Sequence, residues 1–465
     1  MKRTFHYSLR FIRVVAPMLA LAGCASFSAD GGMTEVSALT RERIGQPVQR
    51  PQPENDAALQ AQLDQLLAQP LNADSAVRIA LLNNRRLQAS LSELGIAEAD
   101  LVQAGRLRNP GISFGRLRGG EDVEIERSVM FDLAGLLTMP IRRGIEQRRF
   151  EQAKLQAAAD AVGLAADARR AYFTAVAAQQ TAQYMEQARE AAEAGAELAE
   201  GMARAGNWSK LDQAREQAFY ADATAQLARA RHNANVAREQ LTRLLGLSEK
   251  RLGYTLPDRL PELPQSLRNA SNIEAQALQQ RLDVQAARRE AEATAAALGL
   301  TRTTGFINVF DAGYRNKSQS GSPRSNGYQI ELELPLFDWS GAKTARAEAR
   351  YMQSVHRVAD IAIRARSQAR ESYSAYRTSY DLARHYRDEV VPLRKKISEE
   401  MQLRYNGMLA SVFELLADAR AQIASVNAAI EAQRDYWLAD TDLQQAINGS
   451  GGASTALRGP AAAAE

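Results

Sequence analysis

Two stretches of strict apolar/polar alternation interrupt a chain otherwise patterned for helices. In the first, Val123, Ile125, Val129, Phe131 and Leu133 alternate with Glu124, Glu126, Ser128, Met130 and Asp132, and Arg127 breaks the apolar set once. In the second, Tyr328, Ile330, Leu332, Leu334 and Leu336 alternate with Gln329, Glu331 and Glu333. A two-residue period predicts strands that each carry one polar face. Each has an upstream partner. Residues 112–116 form a short one that turns back at Gly119-Gly120, and Phe306, Phe310, Ala312 and Tyr314 share one face of the other. The Ser-, Gly- and Pro-rich residues 316–326 read as a surface loop between the second pair.

The helical pattern around each strand pair is also duplicated. Ala80-Leu81 with Asn84 and Leu87 opens the first unit, and Ala277-Leu278 with Arg281 and Val284 opens the second. The first opening helix has Asn72 or Asp74 as N-cap and runs to about Leu107, where Asn109-Pro110 stops it. After the strands comes a helix from near Pro140 to about Arg204, long enough to reach on the order of 90–100 Å. Its counterpart runs from Ser340 to about Tyr405. Along it Val355, Val358, Ala362, Ala365, Ala369, Tyr373, Tyr376, Tyr380 and Ala383 recur at spacings of three and four, a narrow coiled-coil seam. Pro392 predicts a kink or break there, since an interior proline costs roughly 3 kcal/mol. Beyond Gly206 and Gly407, return helices run to about Leu245 and Asn448, giving two antiparallel hairpins with glycine at their tips.

The implied organisation is a leader over 1–23, a tether over 24–71, a first repeat over 72–246, a linker over 247–269, a second repeat over 270–448 and a low-complexity tail over 449–465. The tether reading rests on Gly31-Gly32, Pro47, Pro51 and Pro53 and on the lack of sustained periodicity. The fold class is mainly α with membrane β. Four strands per chain are too few to close a barrel with a usable lumen, and a strand in lipid needs both edges paired, so several copies must contribute to one barrel.

Composition changes this picture in two places. Residues 1–23 carry four of the 58 Lys+Arg and none of the 54 Asp+Glu, so the rest of the chain is balanced and has no general attraction for nucleic acid. Those residues also form an export signal: Lys2, Arg3, Arg10 and Arg13, then an apolar run from Val14 to Ala22. Cys24 is the sole cysteine, which excludes a disulfide within the chain. His232, His356 and His385 stand apart, and no metal, phosphate-loop or nucleophile–base pattern is present, so no cofactor and no enzymatic activity are expected. Met202, Met401 and Met408 lie near the tips, where methionine commonly fills helical seams.

Leu21-Ala22-Gly23-Cys24 resembles the bacterial lipobox, which implies cleavage before Cys24 and a covalent lipid on it. Ser26 in place of Asp at the second mature position then implies delivery to the outer membrane. Leu334-Pro335-Leu336-Phe337-Asp338 with Gly341, and Arg404-Tyr405-Asn406-Gly407 before Val412-Phe413-Glu414-Leu415-Leu416-Ala417-Asp418-Ala419, are similar to motifs of the TolC family of outer-membrane efflux factors. The resemblance covers about 72–448. It implies a homotrimer with a 12-stranded barrel and a periplasmic helical tunnel, anchored in outer-membrane lipid, with a periplasmic adaptor and an inner-membrane transporter as partners. The first half departs from the pattern: Phe131-Asp132-Leu133-Ala134-Gly135 stands at its strand-to-helix joint, and the first tip lacks a tyrosine.

The resemblance further implies that Glu414 and Asp418 narrow a periplasmic entrance, three copies of Glu414 repelling one another and raising the carboxyl pKa. The same charges also suit a solvated helix face. Gly206, Arg404, Tyr405 and Gly407 become adaptor contacts, although both glycines also suit a turn that needs positive φ. Glu124, Glu126, Asp132, Glu331 and Glu333 project opposite the apolar strand faces and are expected to line the lumen. Phe337 and Trp339 suit an aromatic girdle at the membrane boundary. The function expected is a passive exit duct of a tripartite efflux system, with a protein-secretion duct or a periplasmic coiled-coil adaptor or scaffold lipoprotein as alternatives.

Overall fold

The computed structural model describes residues 26–50, 56–248, 251–268, 272–305, 309–333 and 336–449. The chain folds as two compact units. One holds Ser90–Ala157, Asp283–Ala362 and residues 26–36; the other holds Ser37–Ala89, Ala158–Leu282 and residues 363–449.

Both repeats open on a pair of helices and not on one. α3 (Ala73–Asn83) follows two N-terminal helices, α1 (Met33–Ile44) and α2 (Asp56–Leu67), and is capped by Asn72 in a capping box with Ser75. It ends at Asn84, whose backbone is extended; α4 (Arg85–Ala104) begins immediately after. The Asn84 side chain holds the break, because its Oδ1 accepts from the Leu87 amide and its Nδ2 donates to the Leu244 carbonyl. In the second repeat α7 (Ile273–Gln280) and α8 (Leu282–Thr304) are divided at Arg281, again extended and fully buried, donating to Gln368 Oε1 at 2.8 Å. The single helix expected to run to Leu107 is therefore two, and the residues that marked the duplication are its breaks.

The sheet belongs to the first unit. β1 (Gly111–Gly119), β2 (Asp122–Asp132), β3 (Phe310–Gln319) and β4 (Ser325–Leu332) lie in the order β1-β2-β3-β4, all antiparallel. β1 is longer than the short strand expected and pairs with β2 over its whole length. β3 takes in residues 316–319, leaving 320–324 as the turn, because Asn316 pairs with Asn326 and Lys317 with Ser325. Phe306, Leu334 and Pro335 lie outside the described residues.

α5 (Leu133–Arg204) starts seven residues before Pro140, since the Asp132 carboxylate accepts from the Gly135 amide and caps an earlier start. α6 (Lys210–Leu245) returns from it and ends on Gly246, left-handed at φ 66°. α9 (Gly341–His385) carries the expected seam: Ala365, Ala369, Tyr376, Tyr380 and Ala383 are buried, while Val355, Val358, Ala362 and Tyr373 are half-buried. Pro392 interrupts this long element as a π-turn over Tyr386–Val390, after which α10 (Val391–Asn406) takes Pro392 in its first turn and α11 (Val412–Asn448) returns. A proline ring crowds the carbonyl four residues back; the wider turn moves that carbonyl aside, and the Val391 amide reaches back to Tyr386.

In the second unit the core is a line of small and aromatic side chains. Leu263, Ile273, Ala277, Ala369, Tyr376, Tyr380, Ala432, Tyr436 and Leu443 form one cluster, with Tyr436 at ring-centroid distances of 5.7 Å from Tyr376 and 5.6 Å from Tyr380. Alanine at successive contact positions lets helix backbones approach closely, and the tyrosines fill the wider levels. The N-terminal segment is not the featureless tether its composition suggests. Within the first unit Ser28 donates to Glu98 and Glu35 pairs with Lys154; within the second Val48 and Leu63 are buried and Arg251 pairs with Asp64 at 2.8 Å.

Candidate functional site

Sheet register sorts the strand residues into two chemically distinct faces. Ile112, Phe114, Val123, Ile125, Val129, Phe131, Ala312, Tyr314, Tyr328, Ile330 and Leu332 share one face, and Ile112, Phe114, Tyr314, Tyr328, Ile330 and Leu332 are exposed on it. On the opposite face lie Glu124, Glu126, Asp132 and Glu331, joined by Asp122, Asp311, Arg315 and Lys317. Glu126 accepts from Arg315 Nη2 through both carboxylate oxygens at 2.7 and 2.8 Å, and Glu124 pairs with Lys317 at 2.5 Å. Asp132 caps α5 and lies 3.4 Å from Arg108, so it is held at the strand-to-helix joint and not left free. Glu333 lies just past β4, its amide donating to the Val309 carbonyl.

Among the described strand residues, one rung of this face carries no cation. Asp132 lies opposite Asp311, and Asp311 lies opposite Glu331, so three acids stand side by side across three strands. Like charges directly opposite one another cost stability in a sheet. Asp311 was not singled out from the sequence although the expected strand through Phe310, Ala312 and Tyr314 contains it; the signal available was its alternation with Gly313 and Arg315.

The two hairpin tips have the same construction. At the first, the Asn207 amide returns to the Met202 carbonyl and Gly206 takes φ 79°; Ser209 then caps α6 and bonds Asp212. At the second, the Leu409 amide returns to the Arg404 carbonyl, and Ser411 caps α11 in a capping box with Glu414. Here the left-handed residue is Met408 at φ 59°, whereas Gly407 sits at φ −81°. Gly206 is thus a required turn residue and Gly407 is not. Arg404 is exposed and Tyr405 half-buried. Sequence reading missed the repeated Ser-x-x-acid signature at both tips and the stacking of Trp208 on Phe413, centroids 4.5 Å apart.

The two entrance candidates differ in environment. Glu414 is exposed and accepts from the Ser411 amide at 2.7 Å and its hydroxyl at 3.0 Å, and these bonds hold its carboxyl below the usual glutamate range. In the single chain the shift is therefore opposite to the rise expected from crowding of like charges. Asp418 is only 8% exposed, which removes the solvated-face reading for it, and its Oδ2 has no partner among the described residues. On neighbouring α6, Glu216 is 2% exposed and pairs with Arg420 at 3.0 Å, its second oxygen also unpaired. Cys24 lies outside the described residues.

These elements define a class: duplicated long helical hairpins joined to a four-stranded amphipathic sheet. Solved structures share it. The chain is similar to a membrane protein from Pseudomonas aeruginosa, with TM-score 0.71 and 20% identity over 81% of this chain and 93% of that one. It is similar to the outer-membrane channel OprN, with TM-score 0.71 and 18% identity over 92% and 97% of the two chains. For the CmeC outer-membrane channel of Campylobacter jejuni the values are 0.70 and 16%, over 89% and 91%. The chain has the fold of the TolC-family outer-membrane channels. No family model matches it. Among curated proteins it is 23% identical over 280 residues to the cobalt-zinc-cadmium resistance protein CzcC of Cupriavidus metallidurans; the match takes in 58% of this chain and 64% of that protein, just under two thirds of the relative's length.

Proposed function

We propose that this chain is the outer-membrane exit duct of a tripartite efflux system, passively conducting solutes from the periplasm or a pump to the exterior. Three copies assemble, their twelve strands closing one barrel and their hairpins forming a helical tunnel in the periplasm. A periplasmic adaptor docks at Gly206, Arg404, Tyr405 and Gly407, an inner-membrane transporter supplies the energy, and a lipid on Cys24 anchors each copy. The protein does no covalent chemistry itself.

The observation that carries this reading is the sheet. It is amphipathic, and β1 and β4 each leave one edge without a strand partner among the described residues. Such a sheet is stable in lipid only when other strands complete it. Its polar face becomes the lumen wall; with Asp132 held by Arg108, Asp311 and Glu331 give that wall a negative band suited to cations. The name of CzcC, a cobalt, zinc and cadmium resistance protein, supports metal cations as the cargo.

Planar-bilayer recording on protein purified from outer membranes tests the proposal. We expect a cation-preferring conductance, a weaker preference in D311N/E331Q, and a larger conductance or weaker divalent block in E414A/D418A. No conductance from wild-type protein would reject the duct; currents unchanged in the last variant would reject Glu414 and Asp418 as the constriction.

A further inference from the structure

The outward face of the sheet has a charge of its own. Register places Arg116, Arg118 and Arg127 on the apolar face, opposite Ile125, Val123 and Phe114 respectively, and all three are exposed. Among the described residues no Asp or Glu within a strand shares that face; Asp122, Glu124, Glu126, Asp132, Asp311 and Glu331 are all on the other. The strand cations of the polar face, Arg315 and Lys317, are paired with carboxylates. None of the three arginines pairs with a carboxylate among the described contacts: Arg127 donates to Asn316 Oδ1 at 3.2 Å and lies over the Phe114 ring, and Arg118 Nε reaches the Gly120 carbonyl at 3.4 Å.

Their height on the sheet is as specific as their face. Towards the helices the apolar face carries the rung of Phe131, Ala312 and Ile330, then the rung of Ile112, Val129, Tyr314 and Tyr328. Arg127 comes one same-face step further, about 7 Å along the strand. Arg116 and Arg118 lie higher still, next to the β1–β2 turn. The order is apolar rung, aromatic rung, cationic rung. A guanidinium facing hydrocarbon is costly, so the cationic rung marks where hydrocarbon ends and head groups begin.

We infer that Arg116, Arg118 and Arg127 form a belt that binds the phosphate groups of outer-leaflet lipid head groups, fixing the barrel's depth in the membrane. A guanidinium presents a planar fork that matches phosphate oxygens bidentately, and among the described strand residues no carboxylate on this face competes for it. The inference rests on the duct reading, which sets this end of the sheet outward.

The test uses the full chain extracted from outer membranes and delipidated in detergent. Thermal unfolding is followed against three probes: lipid A carrying both phosphates, the same lipid with its phosphates removed, and inorganic phosphate. The phosphorylated lipid is expected to raise the midpoint, the other two to leave it unchanged. R116Q/R118Q/R127Q should bind the phosphorylated lipid on the order of 100-fold more weakly, while R116K/R118K/R127K, which keeps charge and fold, retains most of the shift. An equal shift with dephosphorylated lipid, with inorganic phosphate or in the glutamine variant overturns the inference. Conductance of the same samples separates the two claims. A conducting wild type indifferent to lipid phosphate counts against the belt alone, and a preparation that binds the lipid but never conducts counts against the duct.

Discussion

Gly206 and Met408 occupy equivalent places at the two tips, both left-handed, and only one of them is suited to that backbone. A side chain in this conformation costs roughly 1–2 kcal/mol. Gly206 has open space around the position a Cβ would take, so G206A carries the backbone cost alone and should lower stability by about 1 kcal/mol. M408G should raise it by a similar ~1 kcal/mol, and G407A should change little, because Gly407 is not left-handed. Thermal unfolding of the three variants ranks them. Two carboxyls on α11 give opposite pH signs. Burial pushes Asp440 above the usual range against the pull of Arg268 and Gln444, so its contribution is present at low pH and lost as pH rises through the raised value. The Ser411 bonds hold Glu414 below its usual range, so that cap is intact above the ordinary glutamate pKa and lost as pH falls through the depressed one. D440N should therefore stabilise the protein at neutral pH, with the gain vanishing in acid, whereas E414Q should cost most near neutrality. Unfolding midpoints of both variants across pH 3–8 check the signs.

At the scale of elements, legibility followed the length and strictness of the pattern. The β2 alternation and the three-four seam of α9 were plain because each repeats over many residues against one neighbour. The breaks at Asn84 and Arg281 were not: neither is a proline or glycine, and each is held open by a partner distant in sequence, Leu244 and Gln368. The α5 start was obscured because Pro140 is a stronger local signal than the capping Asp132 eight residues earlier. Of the candidate residues, those on β2 were readable from alternation, while the burial of Asp418 depends on how α11 meets its neighbours and left no mark in local sequence. The sheet gives a sharp test. A Cβ on Gly313 would lie 2.1 Å from the Val129 carbonyl oxygen of the adjacent strand, whereas nothing crowds Gly327. G313A should sharply reduce the yield of folded protein in outer membranes and G327A should leave it intact, as quantified by heat-modifiable migration on gels.

For the whole molecule, one number governs the account. The four strands of the described residues, with an unpaired edge at each side, do not make a pore; eight is about the minimum for a barrel interior filled by side chains, and twelve leave room for a lumen. In the proposed duct, symmetry among identical chains meets that need while each chain keeps the same two faces, apolar outward and acidic inward. The measurement that bears most directly on this is the mass of the complex extracted from outer membranes in mild detergent, read by native mass spectrometry. The account predicts a species of three chains, with no free monomer retaining the sheet. A folded, water-soluble monomer carrying both strand pairs would contradict it.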